Sequence, residues 1–189
     1  MVEKFILCVG LVGVASLYSE DKMMDITFKI DDGYFLHKAG AIIICNNKLL
    51  MVKNENFPYY YTVGGRVNFG ETSEEAVLRE VFEETGIMME IDRLAFIHEN
   101  YFVGSIFDAK DEPFHEVAFY YLMKQSDEVK SIKCTSLGAD GGAESLHWLP
   151  LAELSNYNLF PDFYKTELLS LQKEVGHFIT MKGRTIRGK

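Results

Sequence analysis

The sequence predicts an α/β fold of the α+β kind, in which a mixed β-sheet lies between helices. Three observations carry this: a β-hairpin pattern, a helix with both ends marked by capping residues, and further apolar strand-like runs beyond that helix. The 189 residues suit one such unit, because a domain usually takes roughly 100 to 200 residues. Hydrophobic residues make up 48% of the chain and aromatics 13%, enough apolar surface to bury a packed core rather than remain disordered.

The chain divides into an apolar extension, residues 1–23, and one domain, residues 24–189. Within the extension, Phe5 to Leu17 (FILCVGLVGVASL) is too short for a standard membrane-spanning helix, so no stable membrane insertion is expected. Its length and the small residues Ala15 and Ser16 leave export open, although Glu3 offsets Lys4. Met23 and Met24 stand where the domain pattern begins, which favours a mere extension and a cytoplasmic protein.

The hairpin is AIIIC, 41–45, turning at Asn46 and Asn47 into LLMV, 49–52. Tyr59 to Val63 is a third β-rich run, and Gly64 to Gly70 is a glycine-containing loop. The helix starts at Thr72, with Glu75 at capping-box spacing, and stops at Gly86. Ile87 to Ile97 and Val117 to Met123 read as strands separated by a loop containing Asp108, Asp111 and Pro113. Gln125 to Gly142 reads as a connecting loop, Leu146 to Leu149 as a short strand, and Phe163 to Val175 as a second helix.

The net charge of −9 argues against a general nucleic-acid binder, whose affinity rests on surplus Lys and Arg. Cys8, Cys45 and Cys134 are odd in number and far apart, which indicates neither a disulfide framework nor a zinc site and fits a reducing compartment.

On a helical wheel of about 100° per residue, Val77, Leu78, Val81, Phe82 and Thr85 form one broad side expected to face the core. Glu80, Glu83 and Glu84 then cluster opposite, around Ala76. A solvated acidic face is the plain alternative. Against it, like charges at this spacing repel, and Glu83 and Glu84 lie in the last turn, where the helix dipole disfavours anions. Arg79 is the one adjacent cation, so a bound hard cation, Mg²⁺ or Mn²⁺, accounts best for the group.

From Gly65, five residues lead to Glu71 and seven more to Arg79-Glu80-Val81-Phe82-Glu83-Glu84-Thr85-Gly86-Ile87. This segment, GRVNFGETSEEAVLREVFEETGI, resembles the Nudix box, GX5EX7REUXEEXGU with U apolar, at every specified position. The later ESLHWLPLAEL stretch and VAFYYLM also look like the family's domain, so the likeness runs from about Ile42 to Leu154. Val63 and Asn68 depart from the residues common beside the box, which leaves the loop shape and the substrate subclass open.

The resemblance implies an α/β/α sandwich and a metal-dependent hydrolase that cleaves a phosphoanhydride bond in a nucleoside diphosphate linked to another group. It places Glu80, Glu83 and Glu84 in the metal site, adds the Gly64 carbonyl, and gives Glu71 an indirect metal role or a backbone-binding one. Arg79 would orient Glu80. The general base is either a box glutamate or a later acid: Glu144, after GADGGA, is the first candidate and Glu116 the second. His98 and His115 read as ordinary strand residues. Phe57, Tyr59, Tyr60 and Tyr61 read as core packing, with base stacking as the alternative, and basic Lys182, Arg184, Arg187 and Lys189 as a solvated end.

The expected partner is a small phosphorylated nucleotide derivative, and a homodimer is compatible with the sequence. A non-catalytic nucleotide sensor is the competing function, disfavoured because the box is intact. An RNA-end pyrophosphohydrolase is weakened by the acidic balance.

Overall fold

The computed structural model describes residues 24–106, 109–132 and 144–188. The expected extension 1–23, Cys8, Asp108, Cys134, Lys189 and the later part of the expected 125–142 loop lie outside these residues. The chain runs β1 (Thr27–Ile30), β2 (Gly33–Ile42), β3 (Ile44–Cys45), β4 (Lys48–Asn54), β5 (Tyr60–Arg66), α1 (Ser73–Thr85), β6 (Ile91–Ile106) and β7 (Ala109–Met123). It continues with β8 (Glu144–Pro150), β9 (Leu159–Phe160), α2 (Tyr164–Glu167), β10 (Gly176–Met181) and β11 (Arg184–Arg187).

The sheet is mixed, in the order β11-β10-β6-β7-β2-β5-β4-β3, with β1 on β2, β8 on β4 and β9 on β5. Pairs β2–β7, β6–β10 and β5–β9 are parallel. The β3–β4 turn works because Asn46 and Asn47 adopt φ of 50° and 58°, a left-handed conformation asparagine tolerates.

The two faces of the sheet are read off β4 by its period of two. Leu50 and Val52 join Ala41, Val63, Val77 and Val81 on the α1 side, whereas Leu49 and Met51 join Ile42, Tyr120, Phe163 and Tyr164 on the other. Helical turns thus cover both faces, giving the expected sandwich in a strand-rich form.

Three expectations are corrected. Asp111 and Pro113 lie within β7 rather than a loop, because β6 and β7 pair far beyond the core, down to Ile106 opposite Ala109. The expected 163–175 helix is one short turn, α2, followed by a 3-10 turn, Leu168–Ser170. The basic end forms β11, paired antiparallel to β10, with Arg187 ion-paired to Glu167 at 3.3 Å. No helix among the described residues is long and apolar enough to cross a membrane.

Candidate active site

Helix α1 begins where Thr72 Oγ1 accepts the backbone N–H of Glu75 and the Glu75 carboxylate accepts that of Thr72. Such a cap contributes about 1 kcal/mol. The helix ends on Gly86, whose φ of 72° is cheap only for glycine.

Its buried face differs from the expected one. Val77 and Val81 are buried, but Leu78 is 37% exposed and Phe82 51%, while Ala76 is fully enclosed. The inward stripe therefore runs through Ala76, Val77, Glu80, Val81 and Glu84, and two of the three clustered carboxylates face the sheet. Glycines make this packing feasible. A Cβ at Gly65 would collide with the Glu80 carboxylate, and one at Gly64 (φ 137°) with the Ala39 carbonyl of β2. The glycine pair leaves a groove in β5 that the glutamates fill.

Arg79 is the hub of the outer part. Its Nε and one terminal nitrogen donate to the two oxygens of Glu71 at 2.9 and 3.0 Å. The other terminal nitrogen donates to Glu80 Oε1 at 2.7 Å and to Glu83 Oε2 at 3.2 Å, and a further bond reaches the Arg66 carbonyl at 3.0 Å. Glu71 also accepts the Asn68 backbone N–H at 2.9 Å. Burial pushes the Glu71 carboxyl up, but the hydrogen bonds from Arg79 and Asn68 outweigh it and hold it below the usual carboxylate range.

Glu84 is the opposite case. Oε1 accepts the Gly64 N–H at 3.1 Å, whereas Oε2 is buried with no hydrogen-bond partner. Burial pushes its carboxyl up to about 8 against the Gly64 bond, with neighbouring Glu80 and Glu144 adding to the rise. Burial also raises Glu80, partly offset by Arg79. A buried acceptor without a partner is costly unless a proton or cation supplies one. Hard oxygen donors on Glu80 and Glu84 therefore fit a divalent cation. Among the described residues no three acidic, histidine or cysteine side chains already converge on one point, and the half-exposed Glu83 leans towards Arg79 instead.

The structure brings Glu144 to this group. At the start of β8, its Oε1 accepts the Tyr61 hydroxyl at 2.5 Å and Asn54 Nδ2 at 3.4 Å. Burial first, then the bond to Glu144, raises the Tyr61 hydroxyl well above its ordinary value, so it stays a donor. The aromatic run alternates: Tyr61 groups with Phe57 and Tyr59, while Tyr60 contacts His147 and Tyr157. Tyr61 and Asn54 are site residues that sequence reading missed; the alternation of the 59–61 run was the available signal. Glu116 lies in β7, 3.9 Å from Lys38 Nζ, on strands beside the helix. His115 stacks on Tyr101, and His98 is buried against Thr180.

A model of the NUDIX domain matches residues 35–168, most of the chain and all of this site. The chain belongs to the Nudix hydrolase family. Over 72 residues this family member is 40% identical to the ADP-ribose pyrophosphatase of Methanocaldococcus jannaschii, covering 35% of this chain and 43% of that protein. Over 54 residues it is 43% identical to a putative 8-oxo-dGTP diphosphatase of Bacillus subtilis, covering 27% and 36% respectively. The matched stretches thus span less than half of either relative. Its Nudix fold is similar to a mutator MutT protein from Bacillus halodurans, with TM-score 0.54 and 18% identity over 80% of this chain and 94% of that one.

Proposed function

We propose that the chain hydrolyses a phosphoanhydride bond in a nucleoside diphosphate linked to another group, with Mg²⁺ or Mn²⁺ held by Glu80, Glu83, Glu84 and the Gly64 carbonyl. The observation that carries this reading is the buried, partnerless Oε2 of Glu84 beside Glu80 in the β5 groove. The names of the relatives support the reaction class, since both denote cleavage of a diphosphate linkage.

A divalent ion bound there would offset charge as the bond breaks and make a bound water a better nucleophile. Arg79 positions Glu80 through a charge-assisted bond and ties it to Glu71, which supports the site by fixing the loop before α1 and acts on the metal only at second hand. Glu144 is the general base: Tyr61 and Asn54 occupy Oε1, leaving Oε2 to receive the proton of the attacking water. The setting proposed is cytoplasmic, with the substrate a small nucleotide derivative and a homodimer an allowed assembly.

Purified protein with magnesium tests this against nucleoside triphosphates, ADP-ribose, sugar nucleotides and diadenosine polyphosphates, with orthophosphate, pyrophosphate and nucleotide products resolved. Release of a nucleoside monophosphate or pyrophosphate is expected, and only in the presence of divalent cation. Full turnover after exhaustive chelation, or no turnover on any member of the panel, overturns it.

A further inference from the structure

The side of the sheet that α1 covers is left open further along the strands. Ala39 and Phe119 belong to the core under the helix, so by the period of two along β2 and β7 Phe35 and His115 face the same way further out. Ring contacts carry this face across four strands: Phe28 stacks on Phe35 at 5.2 Å, Phe35 meets His115 edge-on at 5.6 Å, and His115 stacks on Tyr101 at 4.2 Å. Met181 of β10, opposite Tyr101, and Arg184 of β11, opposite Met181, complete the row.

A sheet face left to water is ordinarily polar. Here Phe28, Ile30, Val103, Met181 and Ile186 share the face by register and are 50–67% exposed. Its carboxylate, Glu99, already accepts hydrogen bonds from His177 and Tyr101 at 2.8 and 3.2 Å, and Arg184 lies on the edge strand. An apolar patch of this kind calls for a cover. Six strands about 4.8 Å apart make it roughly 24 Å wide, and the rows from Ile30 to Ile186 make it roughly 14 Å deep. The product, roughly 340 Å², is less than half of the roughly 800 Å² that each member of a stable dimer buries. A segment of the same chain needs less, because its tether gives it an effective concentration of about millimolar.

We propose that the apolar segment Phe5 to Leu17, which lies outside the described residues, packs onto this face and covers Phe28, Val103 and Met181. The segment contains no charged residue, so burying it against apolar side chains strands no charge. At 1.5 Å per residue in a helix or about 3.3 Å in a strand it would be roughly 20 or 43 Å long, enough to cross most or all of the patch. The described chain also begins at the edge of the patch. Ile26 packs on the core under α1, and β1 places Phe28 and Ile30 in the patch itself. Residues 18–23 can span roughly 20 Å, which brings Leu17 within reach of the central strands. The inference is independent of the proposed hydrolysis, and its test uses no turnover.

Hydrogen exchange of the full chain tests it without any substitution. Amides of residues 5–17 should exchange at least about tenfold more slowly than those of an unstructured chain. Replacing Val103 and Met181 together by aspartate should return them to within about threefold of the unstructured rate, while α1 keeps its parental protection as the control for folding. Photo-crosslinking then identifies the partner. Benzoylphenylalanine in place of Val103, irradiated in a mixture of light and ¹⁵N-labelled chains, is expected to join a peptide within residues 5–17 of the same chain. The same group in place of Leu169, exposed on the opposite side of the sheet, should not. Unprotected amides in the parent, or protection unchanged in a double variant whose α1 is intact, overturn the inference. Crosslinks between light and heavy chains overturn it in favour of a second copy, and crosslinks to other segments or none overturn it outright.

Discussion

Glu71 and Glu84 belong to one motif and both face inward, yet their surroundings are opposite. Both oxygens of Glu71 are engaged by Arg79 and one also by the Asn68 N–H, so the protein keeps it ionised. Glu84 has one backbone donor, an empty-handed second oxygen and two acidic neighbours, so in the absence of a cation it keeps its proton up to about pH 8. The difference separates carboxylates that build the site from those left needing a partner. Net charge alone could not have shown this, because both groups count as −1.

The largest effect should come from Glu84→Gln, which removes the anionic ligand while keeping its shape. Turnover should fall by about 100-fold or more, the scale for losing a charged group that stabilises the transition state. Parental turnover would reduce the Glu84 side of the contrast to a buried structural carboxyl. Glu144→Gln should also cost about 100-fold if it is the base, and turnover within about threefold of the parent would reject that role.

Arg79→Lys tests the Glu71 side. Lysine keeps the charge but not the planar fork, so stability should drop by about 1 to 3 kcal/mol in denaturant melts, with turnover reduced about tenfold. No loss of stability would show that the fork does not hold the loop before α1. Smaller still is Tyr61→Phe, which frees Glu144 Oε1 without opening a cavity. A drop in kcat of several-fold up to about tenfold is expected, with KM within about twofold, on the scale of one hydrogen bond to a charged group. A KM change alone would mean that Tyr61 touches substrate rather than positions Glu144.

Acidity sharpens the same contrast in metal-free buffer. Folded Glu84 holds its proton above the ordinary carboxylate range, so the native state binds more protons than the unfolded chain, and its contribution to stability is lost as pH rises towards about 8. Folded Glu71 is depressed, so its contribution is present above the ordinary range and is lost as pH falls below it. Melts across pH 5 to 8 in chelator should therefore decline for the parent and flatten in Glu84→Gln. A parallel decline in both would assign the slope to another group.

Local signals were legible in the sequence wherever chain neighbours decide structure. Thr72, Glu75 and Gly86 mark the helix because caps act within four residues, and the Asn46-Asn47 turn marks the hairpin. The box residues stand together because they lie on one helix and the loop before it. Which side of that helix is buried was not legible, since Leu78 and Phe82 outweigh Ala76 on any apolar scale. What decided it was the groove at Gly64 and Gly65, a feature of a strand packed against the helix and not of the helix itself. Distant pairing hid the rest. The outer halves of β6 and β7 carry polar residues, Asp111 and Pro113 among them, that read as loop until the partner strand is known. Residues 163–175 have a helix-like pattern, yet the chain takes only α2 and a 3-10 turn before Gly176 starts a strand beside β6. Tyr61 and Glu144 lie far apart in sequence and meet only because β4 pairs with both β5 and β8.

The central claim is that Glu84 awaits a cation. Thermal melts of the parent and Glu84→Gln, each in chelator and in saturating magnesium, test it most directly. In chelator near neutral pH the variant should melt at or above the parent, because the Glu84 carboxyl must take up a proton to be buried on folding whereas glutamine is neutral already. Magnesium should then raise the melting temperature of the parent clearly more than that of the variant, as binding to the folded state alone requires. Equal magnesium shifts in the two proteins, with turnover retained by the variant, would contradict the account.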